Sequence, residues 1–299
     1  MGDSAIKKCV DKLGSAFFKH NYNRGKTMTY AQIHRRAKFL SGLYYMIDKR
    51  RMNIAKNNFK KAFGDLYSEK EITEMVKEML YNFVVEYYMF FAIDHKSRDE
   101  VKEMISFEHK EYLDEALSKN KGAIILTAHI GNWEFLARRL CCEGLALSVI
   151  ARDSDHTGIT EVTNTIRNNG GYSVYSKDRP ILGIVKALRK NELIGILPDQ
   201  NNDDGIWVKF FGMDAKTAIG PAVISLKTGA PILPACVIRE DLGKYKLEME
   251  PEIKFQPLGD KDKDIEALTQ IINDDLEKMI RKYPTSWLWV HDRWKKRKD

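Results

Sequence analysis

The stretch Thr127-Ala-His-Ile-Gly-Asn-Trp-Glu134 sets a histidine and a glutamate five positions apart, directly after the apolar run Gly122-Ala-Ile-Ile-Leu126. A short apolar run of this kind reads as a buried strand. Titratable residues at its carboxyl end stand where open α/β sheets bind ligands. In a continuous helix, five steps of about 100° would turn the two side chains about 140° apart. With His129 on a bend and a helix starting near Gly131 or Asn132, Glu134 in the first turn can instead fold back to the imidazole. A carboxylate there also suits the positive helix end. Such a pair fixes the ring tautomer and leaves the other nitrogen as a base able to activate a hydroxyl. Gly131 gives the bend its conformational freedom and keeps the space beside the reacting atoms clear. A plainer reading makes Asn132 a helix cap and His129 incidental, so the surrounding elements must decide.

Up to about residue 118 the pattern is helical, as in Ser68-Glu-Lys-Glu71, a capping box opening a long periodic segment. From Gly122 the texture changes to apolar runs, AIILTA, ALSVIA, YSVYS, LIGIL, ILPACVI and KYKLEME, separated by helical stretches. The alternation predicts an α/β protein, a mixed central sheet covered by helices, with residues 1–118 as a helical, basic region packed on an α/β core of residues 119–299. Other polar residues share His129's placement after apolar runs. Arg152 follows LSVIA, Asp199 and Gln200 follow LIGILP, and Arg167 precedes a glycine pair. Singly each arginine suits a surface ion pair; together at strand exits they suit a pocket.

Composition narrows the class. Four cysteines in 299 residues include the adjacent Cys141 and Cys142 but no CxxC pair, which fits a reducing setting. No His/Cys cluster has zinc-ligand spacing, so no metal is expected. No segment reaches the ~18 apolar residues of a membrane span, and the lysine-rich start lacks the apolar core of a signal peptide. Net charge is +7, but residues 1–61 carry 15 Lys/Arg against 3 Asp/Glu, leaving 34 against 39 elsewhere. Within that basic end Ile6, Cys9, Val10, Leu13 and Phe17 recur at helical spacing between lysines, as in an interfacial amphipathic helix. A second basic-apolar block, HRRAKFLSGLYYMIDKRR, follows. The pattern points to an anionic membrane surface or an acidic carrier protein rather than nucleic acid, for which no motif is present. The alternative is an ordinary core-facing helix with a solvated lysine face.

With these residues in view, TAHIGNWE resembles the His-x4-Asp/Glu signature of glycerolipid and lysophospholipid acyltransferases. It is closest to the GHxGNWE-like forms of bacterial lipid A lauroyl/myristoyl and phosphatidylinositol mannoside acyltransferases. KRRMNIAKNNFKKAFGD, LPDQNNDDGIWVKFFGMDAKTAIGPA, TGAPILPACVIR and YPTSWLWVHDRWKKR resemble further blocks of that branch, in order, from about residue 30 onward. The resemblance implies that His129 is the catalytic base and Glu134 its partner. Arg152, Arg167, Asp199, Gln200 and Asn132 would then belong to the acceptor or donor site, with Thr217 and the Phe210-Phe211-Gly212 turn shaping the same pocket. The implied reaction moves a fatty acyl group from acyl carrier protein or coenzyme A to a hydroxyl of a lipid such as a lipid A precursor, and needs no cofactor. No serine or cysteine stands in a nucleophile elbow, which favours direct transfer. Many enzymes of the branch carry an N-terminal spanning helix; without one, this chain is expected to sit peripherally on the cytoplasmic face of the inner membrane. Acylation of another lysophospholipid or glycolipid, thioester hydrolysis, and a non-catalytic lipid or carrier-binding module are the rival readings.

Overall fold

A computed structural model describes residues 2–151, 157–176 and 181–295, with the side chains of residues 2–13, 65, 151, 157 and 176 outside that description. The chain opens with α1 (Gly2–Gly25), α2 (Tyr30–Ile47), α3 (Lys49–Phe63), α4 (Glu69–Ala92) and the short α5 (Arg98–Met104). Local signals set their starts. Thr29, Ser68 and Ser97 each cap a helix through a box completed by Gln32, Glu71 and Glu100, which satisfies two otherwise orphaned backbone N–H groups at each site.

Strand β1 (Ile105–Glu108) and α6 (Lys110–Ser118) follow, then β2 (Ala123–Leu126), α7 (Trp133–Cys142), β3 (Leu147–Ala151), α8 (Thr157–Gly170), β4 (Ser173–Ser176), α9 (Ile181–Arg189) and β5 (Leu193–Ile196). The hairpin β6 (Ile206–Phe210) and β7 (Met213–Thr217), α10 (Gly220–Thr228), β8 (Ile232–Asp241), β9 (Lys244–Met249) and α11 (Lys261–Lys282) complete the order. Seven strands form one sheet in the order β1-β9-β8-β2-β5-β3-β4. β8, β2, β5, β3 and β4 run parallel, while β9 is antiparallel to β8 and pairs in parallel with β1. The sheet is therefore mixed and helix-covered, as the alternation predicts. The N-terminal region is less purely helical than expected, because Ile105–Glu108 adds an edge strand to the core sheet. Four residues ending a helical segment carry too little periodicity to reveal a strand that exists through its pairing with β9.

The central strands are buried on both faces, which is why they read as continuous apolar runs. Ile124, Leu126, Ile194 and Ile196 join one hydrophobic cluster with α3, α9, α10, α11 and three tryptophans, whereas Ala123, Ile125 and Leu193 join the other with α4, α5, α7 and α8. This two-residue alternation sends α7 along one face and α9 and α10 along the other. Adjacent β2 and β5 thus hand the chain to opposite faces, opening a crevice beyond their carboxyl ends.

Candidate active site

The register of β2 and β5 builds the centre of the crevice. Leu126 lies opposite Ile196, and the ladder continues through the Thr127 N–H donating to the Ile196 carbonyl at 3.1 Å. Three residues beyond each strand end come His129 and Asp199. One carboxylate oxygen of Asp199 accepts from the His129 backbone N–H at 2.9 Å, and the other lies 2.9 Å from His129 Nδ1. Trp287 Nε1 donates to Asp199 at 2.8 Å. Burial opposes charge on Asp199, but the His129 ring and backbone and the Trp287 indole outweigh it and hold the carboxyl down to about 2. An ionised carboxylate can only accept, so Nδ1 carries the proton and Nε2 is left with its lone pair. Burial also opposes charge on His129; the charge and hydrogen bond of Asp199, with the charge of Glu134, overcome it and raise the ring above its ordinary value.

The turn carrying His129 is stitched on both sides. Gly131 N–H donates to the Ser286 carbonyl at 2.9 Å, Asn132 N–H to the Val237 carbonyl at 2.9 Å, and Leu288 N–H to the His129 carbonyl at 2.9 Å. Gly131 adopts φ of +54°, and a Cβ there would stand 2.0 Å from the Val237 carbonyl oxygen. Only glycine satisfies that backbone and that contact. Trp133 packs edge-on against the imidazole, with ring centroids 5.0 Å apart.

Glu134 does not pair with the imidazole as the five-residue spacing suggested. Its carboxylate accepts from Arg167 Nε at 3.1 Å and Nη2 at 2.6 Å, and from the Tyr172 hydroxyl at 2.7 Å. The reason is geometric: α7 begins at Trp133, directing Glu134 towards α8, while β5 delivers Asp199 to Nδ1. Glu134 still acts on His129 through its charge. Asn132 is the N-cap of α7, accepting from the Phe135 N–H at 3.1 Å and donating from Nδ2 to Glu86 at 2.9 Å, so both ends of its amide are engaged inside the protein rather than with a ligand.

Thr217 and the Phe210-Phe211-Gly212 turn also lie elsewhere than expected. Thr217 is fully buried, its hydroxyl accepting from Arg293 at 2.6 Å and Asn273 at 3.1 Å. Phe211 and Gly212, both with positive φ, form the two-residue loop joining β6 to β7. Phe210 and Phe211 pack into the aromatic cluster of Trp287, Trp289 and Trp294. This hairpin buttresses the segment that supplies Trp287. Arg152 lies outside the described residues.

Two spaces adjoin each other near the dyad. A cleft of about 700 Å³ is lined by His129, Trp133, Glu134, Arg167 and Gln200 at one part and by Leu136, Leu140, Leu147, Val149 and Leu197 at another. A groove of about 990 Å³ between α2, α3, α4 and the 288–295 segment is apolar along Leu40, Ile54, Leu80, Phe83 and Val84, with Arg50, Arg51 and Lys295 also lining it. The two share Gln200, Asn201 and Asp203. Among the described residues no group of His, Cys, Asp and Glu has the arrangement of a metal site.

The profile of the family described as bacterial lipid A biosynthesis acyltransferase matches residues 2–296. The chain belongs to that family. Among relatives, a lipid A biosynthesis palmitoleoyltransferase of Escherichia coli is 27% identical over 258 residues, 83% of this chain and 80% of that protein. A lipid A biosynthesis lauroyltransferase of the same organism is 25% identical over 277 residues, covering 90% and 87%. A phosphatidylinositol mannoside acyltransferase of Mycobacterium tuberculosis is 24% identical over 189 residues, covering 62% of this chain and 58% of that protein. Family membership agrees with the resemblance carried by TAHIGNWE and the later blocks. Reading the sequence by spacing alone missed Asp199 as the ring's partner and the parts of Trp133 and Trp287. The signal for Asp199 is present: AIILTAH and LIGILPD each place a polar residue six positions after the first residue of an apolar run, the offset that in-register parallel neighbours bring together.

Proposed function

We propose that the protein is an O-acyltransferase that moves a fatty acyl group from a thioester to a hydroxyl of a glycolipid of the lipid A type. The observation that carries this reading is the His129–Asp199 pair at a cleft walled in part by Leu136, Leu140, Leu147, Val149 and Leu197, with a larger, mostly apolar groove adjoining it at Gln200, Asn201 and Asp203, which suits a reaction joining two lipid substrates. The acyl chain of the donor occupies the cleft against α7, and the acceptor lipid occupies the groove among α2, α3 and α4. Neutral His129 takes the hydroxyl proton at Nε2 as the acceptor oxygen attacks the thioester carbonyl. Asp199 stabilises the imidazolium that forms. Collapse of the tetrahedral intermediate expels the thiolate, which recovers the proton from His129. The thioester is already activated, so holding two substrates in register with a base supplies much of the rate.

Arg167, held by Glu134, has no hydrogen bond at Nη1 among the described residues and is placed to take a phosphate or headgroup oxygen of the acceptor. Acyl carrier protein is the donor this reading favours over coenzyme A, because residues 1–61 carry 15 Lys/Arg against 3 Asp/Glu and suit an acidic carrier. Attachment to the bilayer is peripheral, at the cytoplasmic face of the inner membrane. Among the described residues no helix is long and apolar enough to cross a membrane. α2 instead carries two apolar stripes. Ile33 and Ala37 face the core, while Phe39, Leu43, Met46 and Ile47 are exposed near Arg35, Lys38 and Arg50, the pattern of an interfacial helix over anionic lipid. Of the α1 stripe, Phe17 is exposed, and Ile6, Cys9, Val10 and Leu13 have side chains outside the described residues.

The test is an assay of purified protein with acyl carrier protein thioester and detergent-dispersed lipid A precursor. Acyl transfer that requires the acceptor and vanishes in His129→Ala is the expected result. Thioester loss at the same rate without acceptor would make the protein a thioesterase and defeat the reading.

A further inference from the structure

Behind the His129 turn, on the side away from the 700 Å³ cleft, lies a buried ionic cluster that the transfer chemistry does not use. Glu86 projects from α4, with one carboxylate oxygen accepting from Arg239 Nε at 2.9 Å. Its other oxygen accepts from Asn132 Nδ2 at 2.9 Å and from the Tyr245 hydroxyl at 2.9 Å. Arg239 Nη2 continues the network to Asn82 Oδ1 at 2.5 Å. Residues of β8 and β9 and Asn132 of the His129 turn therefore converge on one carboxylate of α4, and Glu86 alone links that cluster to the turn. A cavity of about 50 Å³, bounded by Glu86, Arg239, Gly131 and the imidazole itself, separates the cluster from His129.

We propose that Glu86 is a positioning residue for His129, acting through the amide of Asn132. An asparagine amide can be turned either way; a carboxylate at Nδ2 settles the choice, because it accepts and cannot donate. With Nδ2 committed to Glu86, Oδ1 must face the Phe135 N–H and cap α7. That cap fixes where the helix begins, and so fixes Trp133 against the ring and the bend that carries His129. Burying a carboxylate and a guanidinium is a costly way to fill space, since apolar residues of equal volume commonly serve stability as well or better. The pair is explained by the geometry it imposes. It also ties α4, which helps wall the large groove, to the turn that carries the base.

This inference rests on the acyltransferase reading for its kinetic arm and is independent of it in its structural arm. Glu86→Gln replaces two accepting oxygens with one, so an N–H of the new amide must face an N–H of either Asn132 or Arg239. The variant is expected to lose about tenfold or more in kcat, with KM for the donor changed by less than about twofold, because a displaced base costs rate and not binding. Amide hydrogen exchange in residues 127–136 should quicken. The reciprocal double variant Glu86→Gln/Asn132→Asp rebuilds the bond with donor and acceptor exchanged, keeps an equally good helix cap, and should restore both kcat and exchange protection. Tyr245→Phe, which removes one hydroxyl and no packing, should give a smaller loss in kcat of the same kind and serves if Glu86→Gln does not fold. Unchanged kcat and exchange in Glu86→Gln or Tyr245→Phe, or a folded double variant that recovers neither, would overturn the proposal. If the parent protein transfers no acyl group, the functional reading falls, and the exchange pattern alone decides the role of Glu86.

Discussion

Two carboxylates stand close to His129, one at the end of β5 and one in the first turn of α7, and they do opposite work. Asp199 is 1% exposed and grips both the ring and the backbone of His129. Glu134 lines the open cleft and grips Arg167 and Tyr172. The nearer in sequence is the farther in bonding. Sheet register, which brings together residues seventy positions apart, outranks spacing along one turn.

The sharpest way to break this comparison is to neutralise each carboxylate in turn. Asp199→Asn leaves the shape but permits the wrong ring tautomer, and kcat should fall by about 10²- to 10⁴-fold, comparable with His129→Ala. Glu134→Gln should lose roughly tenfold, mainly through loosened Arg167 and weaker acceptor binding. Steady-state kinetics with donor and acceptor varied separately reads both. A larger loss in Glu134→Gln than in Asp199→Asn would reverse the roles assigned here.

The pH profile separates the two carboxylates by the position of its limb rather than by the size of the rate. In the proposed mechanism neutral His129 is the active form, and its pKa is raised above 6.5, so kcat/KM should rise with pH along a limb whose midpoint lies above that value. Removing the Asp199 charge should move the midpoint to lower pH even as the rate drops. Removing the Glu134 charge should move it the same way by less. A limb unmoved in both variants would mean that it reports another group.

Much of this was legible in the sequence, and the misses have physical causes. The runs AIIL and LIGI announced their strands because both faces of the sheet are covered there, and Ser68 and Glu71 announced α4 because capping is local. The hairpin IWVKF/MDAKT escaped because its turn, Phe211-Gly212, places a bulky residue at positive φ, held by packing against Phe63, Trp289 and Trp294 rather than by turn propensity. At the site, His129 and Gly131 declared themselves through type and position. Asn132 was legible as a helix cap, but its bond to Glu86 was not, nor were the roles of Glu134 and Thr217, because each depends on a residue from a distant element: Glu86, Arg167 and Arg293.

Smaller effects are expected farther from the dyad. Replacing Phe39, Met46 and Ile47 together by Ser should lower sedimentation with anionic vesicles severalfold. Raised salt should weaken the parent's binding too, through screening of the lysines and arginines. Binding to neutral vesicles equal to that on anionic ones, and unaffected by the triple replacement, would remove α2 from the membrane contact. The smallest change belongs to Thr127, whose buried hydroxyl has no hydrogen-bond partner among the described residues. Thr127→Val should raise stability by about 1 kcal/mol in urea denaturation, because an unsatisfied polar group is removed at constant shape.

The stitching of the turn to residues 286–288 also has a consequence for the order in which the protein comes into being. His129 and Asp199 are made early, yet Leu288 N–H holds the His129 carbonyl and Trp287 Nε1 holds the Asp199 carboxylate. On the ribosome, translation passes both catalytic positions long before these two clamps emerge. The nascent chain should therefore remain catalytically silent, with an unaligned base, until residue 288 has left the exit tunnel. Chains truncated before and after residue 288, each held on the ribosome by a C-terminal spacer long enough to carry that residue clear of the tunnel and assayed for transfer, would show activity switching on over a few residues rather than accumulating with length.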